Sequence, residues 1–357
     1  MPGGPPGHRP GTKRASGRDA TVKFLTFGES LLRLRAPGHE RLFQRPALEA
    51  TFGGAEANVA VSLANFGAEA AYCTILPANP IGDACLGELR RFGVDTRNVL
   101  RGPGRLGIYY LEDGANQLSP KVIYDRSGSS LAQAGPGAID WRRALEGIGW
   151  FHTTGITPAI SEGAMELCLE AVQAAKGQGI TVSCDLNYRK ALWQYGREAP
   201  SVMREVLRST DVVIASEEEM QTVLGISACG SSELERYRSM GDQVLSAFPA
   251  VKLVAMILRE SRSADWHSWS ACLNSGADFY VSKRYEIRDI VDGVGGGDAF
   301  AAGLIYGLNR WEDHQQALEF AAAASCLKYS IVGDFNRVST EDVLHLSGGD
   351  GTGRDQR

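Results

Sequence analysis

Residues 292–303 read DGVGGGDAFAAG, with four glycines and two aspartates in the first seven positions and a run of small and apolar residues behind them. Amides of consecutive glycines can converge on one point, because no Cβ blocks the approach or forbids positive φ. A helix that begins directly behind them adds the partial positive charge of its N-terminus. The stretch is therefore a candidate anion hole. From spacing alone Asp298 admits two readings. It caps the helix, as aspartate often does, or it accepts a proton from the atom that attacks a bound phosphate.

The chain around this loop alternates between strand and helix. VKFLTFG (22–28) is a short apolar strand, and AEANVAVSLANFG (55–67) is helical up to its terminal glycine. AAYCTIL (70–76) and IGDACLGELRRFGV (81–94) repeat the pair. The pattern continues with WFHTTG (150–155), a helix over 161–176, ITVSCDLN (180–187), a helix over 198–208, DVVIAS (211–216) and a helix from Glu217. KLVAMIL (252–258) and two alanine-rich helices over 298–309 and 313–330 complete it. Apolar β-branched strands alternating with helices predict an α/β fold, with a largely parallel sheet covered on both faces. Ligands of such sheets sit at the carboxyl ends of the strands. Two stretches break the rhythm, LLRLRAPGHERLFQ (31–44) and RLGIYYLEDGANQLSPKVIYDRS (105–127). Their alternation and turn residues read either as a small separate sheet, a lid over about 31–50 and 105–127, or as edge strands of the main sheet.

Composition narrows the function. The 357 residues are 43% apolar, enough to bury a substantial core, and the net charge is −5 with basic residues scattered along the chain. Nothing marks a nucleic-acid surface, and no run of about 18 apolar residues offers a membrane span. The seven cysteines are odd in number, dispersed and never spaced C-x-x-C. They read as small core residues in a reducing cytoplasm. The six histidines form no H-x-x-H pair, which argues against imidazole metal ligation. Residues 1–21 and 346–357 are Gly-rich and polar without an apolar leader, and read as disordered tails. The glycines at 293, 295, 296 and 297 miss the G-x-G-x-x-G spacing. Neither G-x-x-x-x-G-K-[ST] nor G-x-S-x-G occurs.

Two stretches in the right order, FGGAEANVAVSLANFGAEAAYCTILPANPIGDACLGELRRFGVDT (52–96) and DGVGGGDAFAAG, resemble the signatures of the ribokinase-like family of carbohydrate kinases. The resemblance covers roughly residues 22–345. Gly293 stands where the family usually has threonine, and Gly296 where it has alanine. Within the family, GGAEANVA, LGIYYLEDGA, KVIYDRSGSS, CDLNYRKALW and LRESRSADWHSWSACL are most similar to the 2-dehydro-3-deoxygluconate kinases.

The resemblance implies a three-layer α/β/α sandwich with a small β lid. It also implies ATP-dependent phosphorylation of 2-dehydro-3-deoxy-D-gluconate at its terminal hydroxyl, giving the 6-phosphate. Asp298 would be the base, and the amides of Gly295, Gly296 and Gly297 would hold the developing charge. Sugar contacts implied are Gly53, Gly54 and Asn58, with Tyr109 and Arg126 from the lid. Tyr109 also reads as plain strand packing, and Arg126 as a solvated lid residue. Arg189, in NYRKALW, could grip a keto-acid carboxylate with two parallel hydrogen bonds.

On the nucleotide side, SEEEM (216–220) takes the place of the family's N-x-x-E motif, with Ser216 for asparagine and Glu219 organising magnesium through water. Taken alone, three glutamates opening a helix read as surface charges favoured by the helix dipole. Arg259 lies in LRESRS, where Glu260 and Ser263 replace family glycines. Asn336, in GDFN, falls where the family lines the base and ribose pocket. The implied cofactors are ATP and Mg²⁺, the ion bridging phosphate oxygens and keeping most of its ligands as water. The implied partners are a small sugar acid and ATP, and an exposed lid sheet admits a homodimer. The competing readings are a kinase for fructose or another deoxy-keto acid, and a catalytically silent sugar- or nucleotide-binding protein of the same fold.

Overall fold

The computed structural model describes residues 22–349. In chain order the strands are β1 (Lys23–Phe27), β2 (Leu31–Arg35), β3 (Glu49–Gly53), β4 (Glu69–Pro77), β5 (Val99–Gly102), β6 (Gly107–Glu112) and β7 (Lys121–Asp125). After them come β8 (Trp150–Thr154), β9 (Thr181–Asp185), β10 (Val212–Ser216), β11 (Leu253–Ser263), β12 (Trp266–Asn274), β13 (Phe279–Val281) and β14 (Tyr285–Arg288). The helices are α1 (Ala55–Asn65), α2 (Pro80–Arg91), α3 (Trp141–Ala144), α4 (Glu162–Gly177) and α5 (Ala199–Leu207). They continue with α6 (Glu217–Leu224), α7 (Glu233–Ala247), α8 (Gly296–Arg310), α9 (His314–Lys328) and α10 (Thr340–Ser347).

The main sheet runs β13-β12-β11-β10-β9-β8-β1-β4-β5, with β14 also on β12. From β11 to β5 every pairing is parallel, and β12, β13 and β14 add an antiparallel edge. The parallel strands are buried on both faces, which explains their unbroken apolar runs. Val213 and Ala215 of β10 face one core layer with α4, α5 and α7, while Val212 and Ile214 face the other with α1, α8 and α9. The chain leaves β1 for β4 and β5 and returns to β8 on the other side of β1. The strand order reverses there, opening a crevice at the carboxyl ends.

The two irregular stretches form a separate four-stranded sheet, β3-β2-β6-β7, and not edge strands of the main one. Its β2–β6 pairing is parallel and its other two are antiparallel, so Leu31–Arg35 pairs with Glu49–Gly53 across a loop over 36–48. The sequence reading assigns no element to β5, α7, α10 or the β12–β14 edge. In α7 the buried stripe is only Tyr237, Met240, Gly241 and Val244 within a mostly polar helix, too narrow a periodic signal. Strand β11 continues to Ser263, five residues past the expected end, because β12 pairs along it.

Helix α10 extends two residues into the segment read as a C-terminal tail. The rest of both expected tails, 1–21 and 350–357, lies outside the described residues. Cys73, Cys85, Cys168, Cys184 and Cys272 are buried free thiols as expected, whereas Cys326 is half-buried and Cys229 is exposed. Among the described residues no helix is long and apolar enough to cross a membrane.

Candidate active site

A cavity of about 770 Å³ opens at the carboxyl ends of β9, β10 and β11, between the small sheet and the N-termini of α1 and α8. Its floor is the glycine loop. Gly295 is the N-cap of α8 with φ of 83°, a left-handed conformation that a side chain would strain. A Cβ there would also lie 2.4 Å from the Asp334 carbonyl oxygen. Gly296 and Gly297 are the first two helical residues, whose N–H groups have no intrahelical acceptor. Gly296, a departure from the resembled signature, has a local reason: a Cβ would stand 2.7 Å from the Tyr329 ring.

Asp298 is the third residue of α8 and makes no cap bond, so the capping reading falls away. Its Oδ2 accepts from Asn58 Nδ2 at 2.6 Å, which ties the first turns of α1 and α8 together. Burial pushes its pKa up to about 7, and the carboxylates of Asp334 and Glu56 push the same way. The Asn58 hydrogen bond and the Arg189 charge oppose them. The side chain is 9% exposed and lines the cavity. Such a carboxyl sits where its protonation can change near neutral pH.

Gly54, Asn58, Tyr109, Arg126, Arg189, Ser216, Glu219 and Arg259 line the same cavity as the glycine loop. Arg126 is buried, not solvated, and its Nε donates to Glu29 Oε2 at 2.5 Å. Tyr109 is both packed and polar, its hydroxyl donating to Asp334 Oδ1 at 2.5 Å. Arg189 follows β9 on an exposed turn, where its Nη1 donates to the Tyr188 carbonyl at 2.9 Å. Ser216 and Glu219 form a capping box at the start of α6, and Glu219 Oε1 accepts from the Tyr188 amide at 2.8 Å. The glutamate thus holds the Arg189 turn in place as well as facing the cavity.

Two expected contacts do not reach the cavity. Asn336 is 1% exposed and lies behind the site, where its Oδ1 accepts from the Val338 amide and its carbonyl from Asn65 Nδ2. It closes a turn after Asp334 and is not a wall of the nucleotide pocket. Gly53 is the last residue of β3, and its bare Cα makes room for a carboxylate, since a Cβ would lie 1.9 Å from Asp334 Oδ2.

Asp334 belongs to a network that sequence reasoning misses. Arg33, on the small sheet, donates from Nη1 to Asp334 Oδ1 at 2.9 Å and from Nη2 to Asp292 Oδ2 at 2.6 Å. Asp292 also accepts from the amides of Val294 and Gly333. The loops before α8 and after α9 are thereby bound to each other and to the lid. Burial disfavours the charged guanidinium, but the carboxylates of Asp334 and Asp292 outweigh it and raise its pKa. A signal existed: Arg33 shares the inward parity of Leu31 in LLRLR. Asp185, at the end of β9, is a further cavity residue. Burial raises its pKa well above the carboxylate range, reinforced by Glu219 and Asp298.

A helix start with unpaired glycine amides, a buried carboxyl beside it and a small sheet over the crevice of a parallel sheet fit a carbohydrate kinase. The chain belongs to the pfkB family of carbohydrate kinases, whose family model matches residues 23–336. It is 33% identical over 337 residues, 92% of this chain and 98% of the relative, to a 2-dehydro-3-deoxygalactonokinase of Haloferax volcanii. A 2-dehydro-3-deoxygluconokinase of Thermoproteus tenax is 28% identical over 323 residues, 88% of this chain and 91% of that one. The crystal structure of a 2-dehydro-3-deoxygluconokinase from Thermotoga maritima superposes with a TM-score of 0.88 at 46% identity, covering 92% of this chain and all of that one. A kinase of this family acts on a sugar with ATP as its second substrate.

Proposed function

We propose that this kinase transfers the γ-phosphoryl group of ATP to the terminal hydroxyl of 2-dehydro-3-deoxy-D-gluconate, giving the 6-phosphate and ADP. The observation that carries the reading is Asp298, a buried carboxyl at the start of α8 beside the amides of Gly295, Gly296 and Gly297. The hydroxyl proton passes to the Asp298 carboxylate as the oxygen attacks the γ-phosphorus in line. The bond from that phosphorus to the β–γ bridging oxygen breaks, and ADP leaves with the electron pair. The three amides receive the charge that grows on the transferring group, each such donor being worth about 10²–10³ in rate.

The sugar-acid assignment draws on the printed names of the relatives and on Arg189, which lines the same cavity as Asp298. A keto acid brings a carboxylate that a neutral sugar lacks, and a guanidinium holds it with two parallel bonds. Gly54 and Asn58 approach the sugar from α1, and Tyr109 and Arg126 from the lid. The similarity to a galactonate-named kinase favours the epimeric 2-dehydro-3-deoxygalactonate as a second substrate.

Ser216, Glu219 and Arg259 face the nucleotide. Among the described residues no three His, Cys, Asp or Glu side chains gather into a metal-holding group. The cavity offers the carboxylates of Asp185 and Glu219, which suit an ion that keeps most of its waters, as magnesium does. Asp185 and Glu219 would hold Mg²⁺ through water, and the bound ion would draw charge from the β- and γ-phosphate oxygens. The buried free thiols suit the cytoplasm. Exposed Val122, Ile123 and Tyr124 on the outer strand β7, with Leu118 beside them, support pairing of two copies through the lid.

Arg189→Ala tests the assignment. The variant should lose about 10–100-fold in kcat/KM for the keto acid, the worth of a charge-assisted bidentate pair, with fructose turnover changed less than about threefold. Equal losses on both substrates would remove Arg189 as the carboxylate clamp.

A further inference from the structure

Lys328 ends α9, and its side chain is 0% exposed directly beneath the glycine loop. Its Nζ donates to the Ile331 carbonyl at 3.0 Å, and its Cε lies 3.2 Å from where a Cβ on Gly295 would stand. The charged groups around it come from four elements: Asp292 before α8, Asp298 within α8, Asp334 after α9 and Arg33 from β2. Asp292 and Asp334 both bind Arg33, so one guanidinium faces two carboxylates before Asp298 is counted. The Lys328 ammonium is the second cation of that buried group.

A lysine at a helix C-terminus serves the helix dipole equally well from the surface, without the desolvation cost of taking an ammonium out of water. Burial, with Arg33 acting the same way, holds its pKa below the ordinary lysine value, and Asp292, Asp334 and Asp298 offset only part of that. Of the three donors on the ammonium, one has a hydrogen-bond partner among the described residues. The site of burial is the underside of the loop whose amides face the cavity.

We propose that Lys328 is a positioning residue for phosphoryl transfer: its buried ammonium clamps the Ile331–Asp334 turn under Gly295 and sets positive charge beneath the amides of Gly295–Gly297. The proposal rests on the reading of those amides as the anion hole. It acts through the loop and touches neither substrate.

The test uses the full chain with Lys328→Ala and Lys328→Met, with Asp298→Asn as a parallel arm. Lys328→Ala should lower kcat about 10–100-fold, less than a direct anion-hole donor at its upper range, with the keto-acid KM little changed. Ethylammonium chloride, which restores an ammonium on a short stem, should recover turnover saturably. Tetramethylammonium chloride at equal ionic strength, with no N–H to donate, should not. Lys328→Met fills the space without the charge, so it should stay folded at the assay temperature with a midpoint no lower than that of Lys328→Ala, lose kcat and resist rescue. Nucleotide titration calorimetry should show weakened ATP binding in both variants. Native kcat in Lys328→Met overturns the proposal, as does a loss in Lys328→Ala that tracks unfolding and ignores ethylammonium. If Asp298→Asn is silent while both Lys328 variants turn over normally, only the lysine proposal fails. If Asp298→Asn itself turns over normally, Asp298 is not the base and the reading of this helix start as the phosphoryl-transfer site, on which the lysine proposal rests, fails first.

Discussion

Asp298→Asn lowers kcat about 10²–10⁴-fold, the contribution of a positioned general base, while both KM values stay within about threefold. The substitution keeps the shape of the side chain and an oxygen able to accept from Asn58, so the joined first turns of α1 and α8 survive. What it removes is the group that takes the hydroxyl proton. The pH profile of the native enzyme carries the same signature. Because burial raises the Asp298 pKa to about 7, the reactive carboxylate appears only as pH rises through that value. Native kcat/KM should therefore fall about tenfold per unit below pH 7 and level off above it. The residual activity of the variant should lack that limb.

Stability moves the other way. A raised carboxyl pKa favours the folded state below the unfolded value near 3.8, and that advantage is lost as pH climbs through about 7. Asparagine carries no such charge. Asp298→Asn should unfold later than the native protein at pH 8, by an amount on the order of a few kcal/mol, and about equally at pH 4. Thermal unfolding at the two pH values, beside steady-state rates, checks both halves. An inactive variant that is also less stable at pH 8 would point to a structural role for Asp298.

Arg33→Met destabilises the fold by about 3–5 kcal/mol, because two buried carboxylates lose their shared cation together. Asp292 and Asp334 are each 3% exposed, so little solvent reaches either carboxylate to replace the guanidinium. The loss should be visible as an earlier denaturant midpoint. Arg33 joins the lid to the glycine loop beside the packing of Leu31, Tyr109 and Leu111 on Val294, so activity at temperatures below the transition should fall as well. Adding Asp334→Asn to Arg33→Met should return part of the stability, since the second change neutralises one orphaned charge. A double-mutant cycle measures that coupling. Additive losses would mean that Arg33 acts by packing and not by charge.

The layered α/β architecture was legible because strands buried on both faces leave unbroken apolar runs, and VVIAS needs no partner to be read that way. The glycine loop was legible because everything it needs is contiguous: Gly295, Gly296, Gly297 and Asp298 lie within one turn. The charge cluster that holds it was not. Arg33 lies 259 residues from Asp292 and 301 from Asp334, and only the packing of the lid on the main domain brings them together. Asn336 reads as a pocket residue from its neighbourhood in GDFN, but the residue of that stretch that lines the cavity is Asp334, two positions earlier. The antiparallel edge is faint in the sequence because the apolar face of WHSWSACLN is only Trp269, Ala271 and Leu273, behind a mixed Trp-His-Ser start.

The most direct measurement follows ADP release by the purified full chain with MgATP and each of 2-dehydro-3-deoxygluconate, 2-dehydro-3-deoxygalactonate, fructose and ribose. The account predicts a kcat/KM for one or both keto acids at least about 100-fold above either neutral sugar, the discrimination that a well-made charged contact supplies. A neutral sugar turned over as well as or better than both keto acids would contradict it.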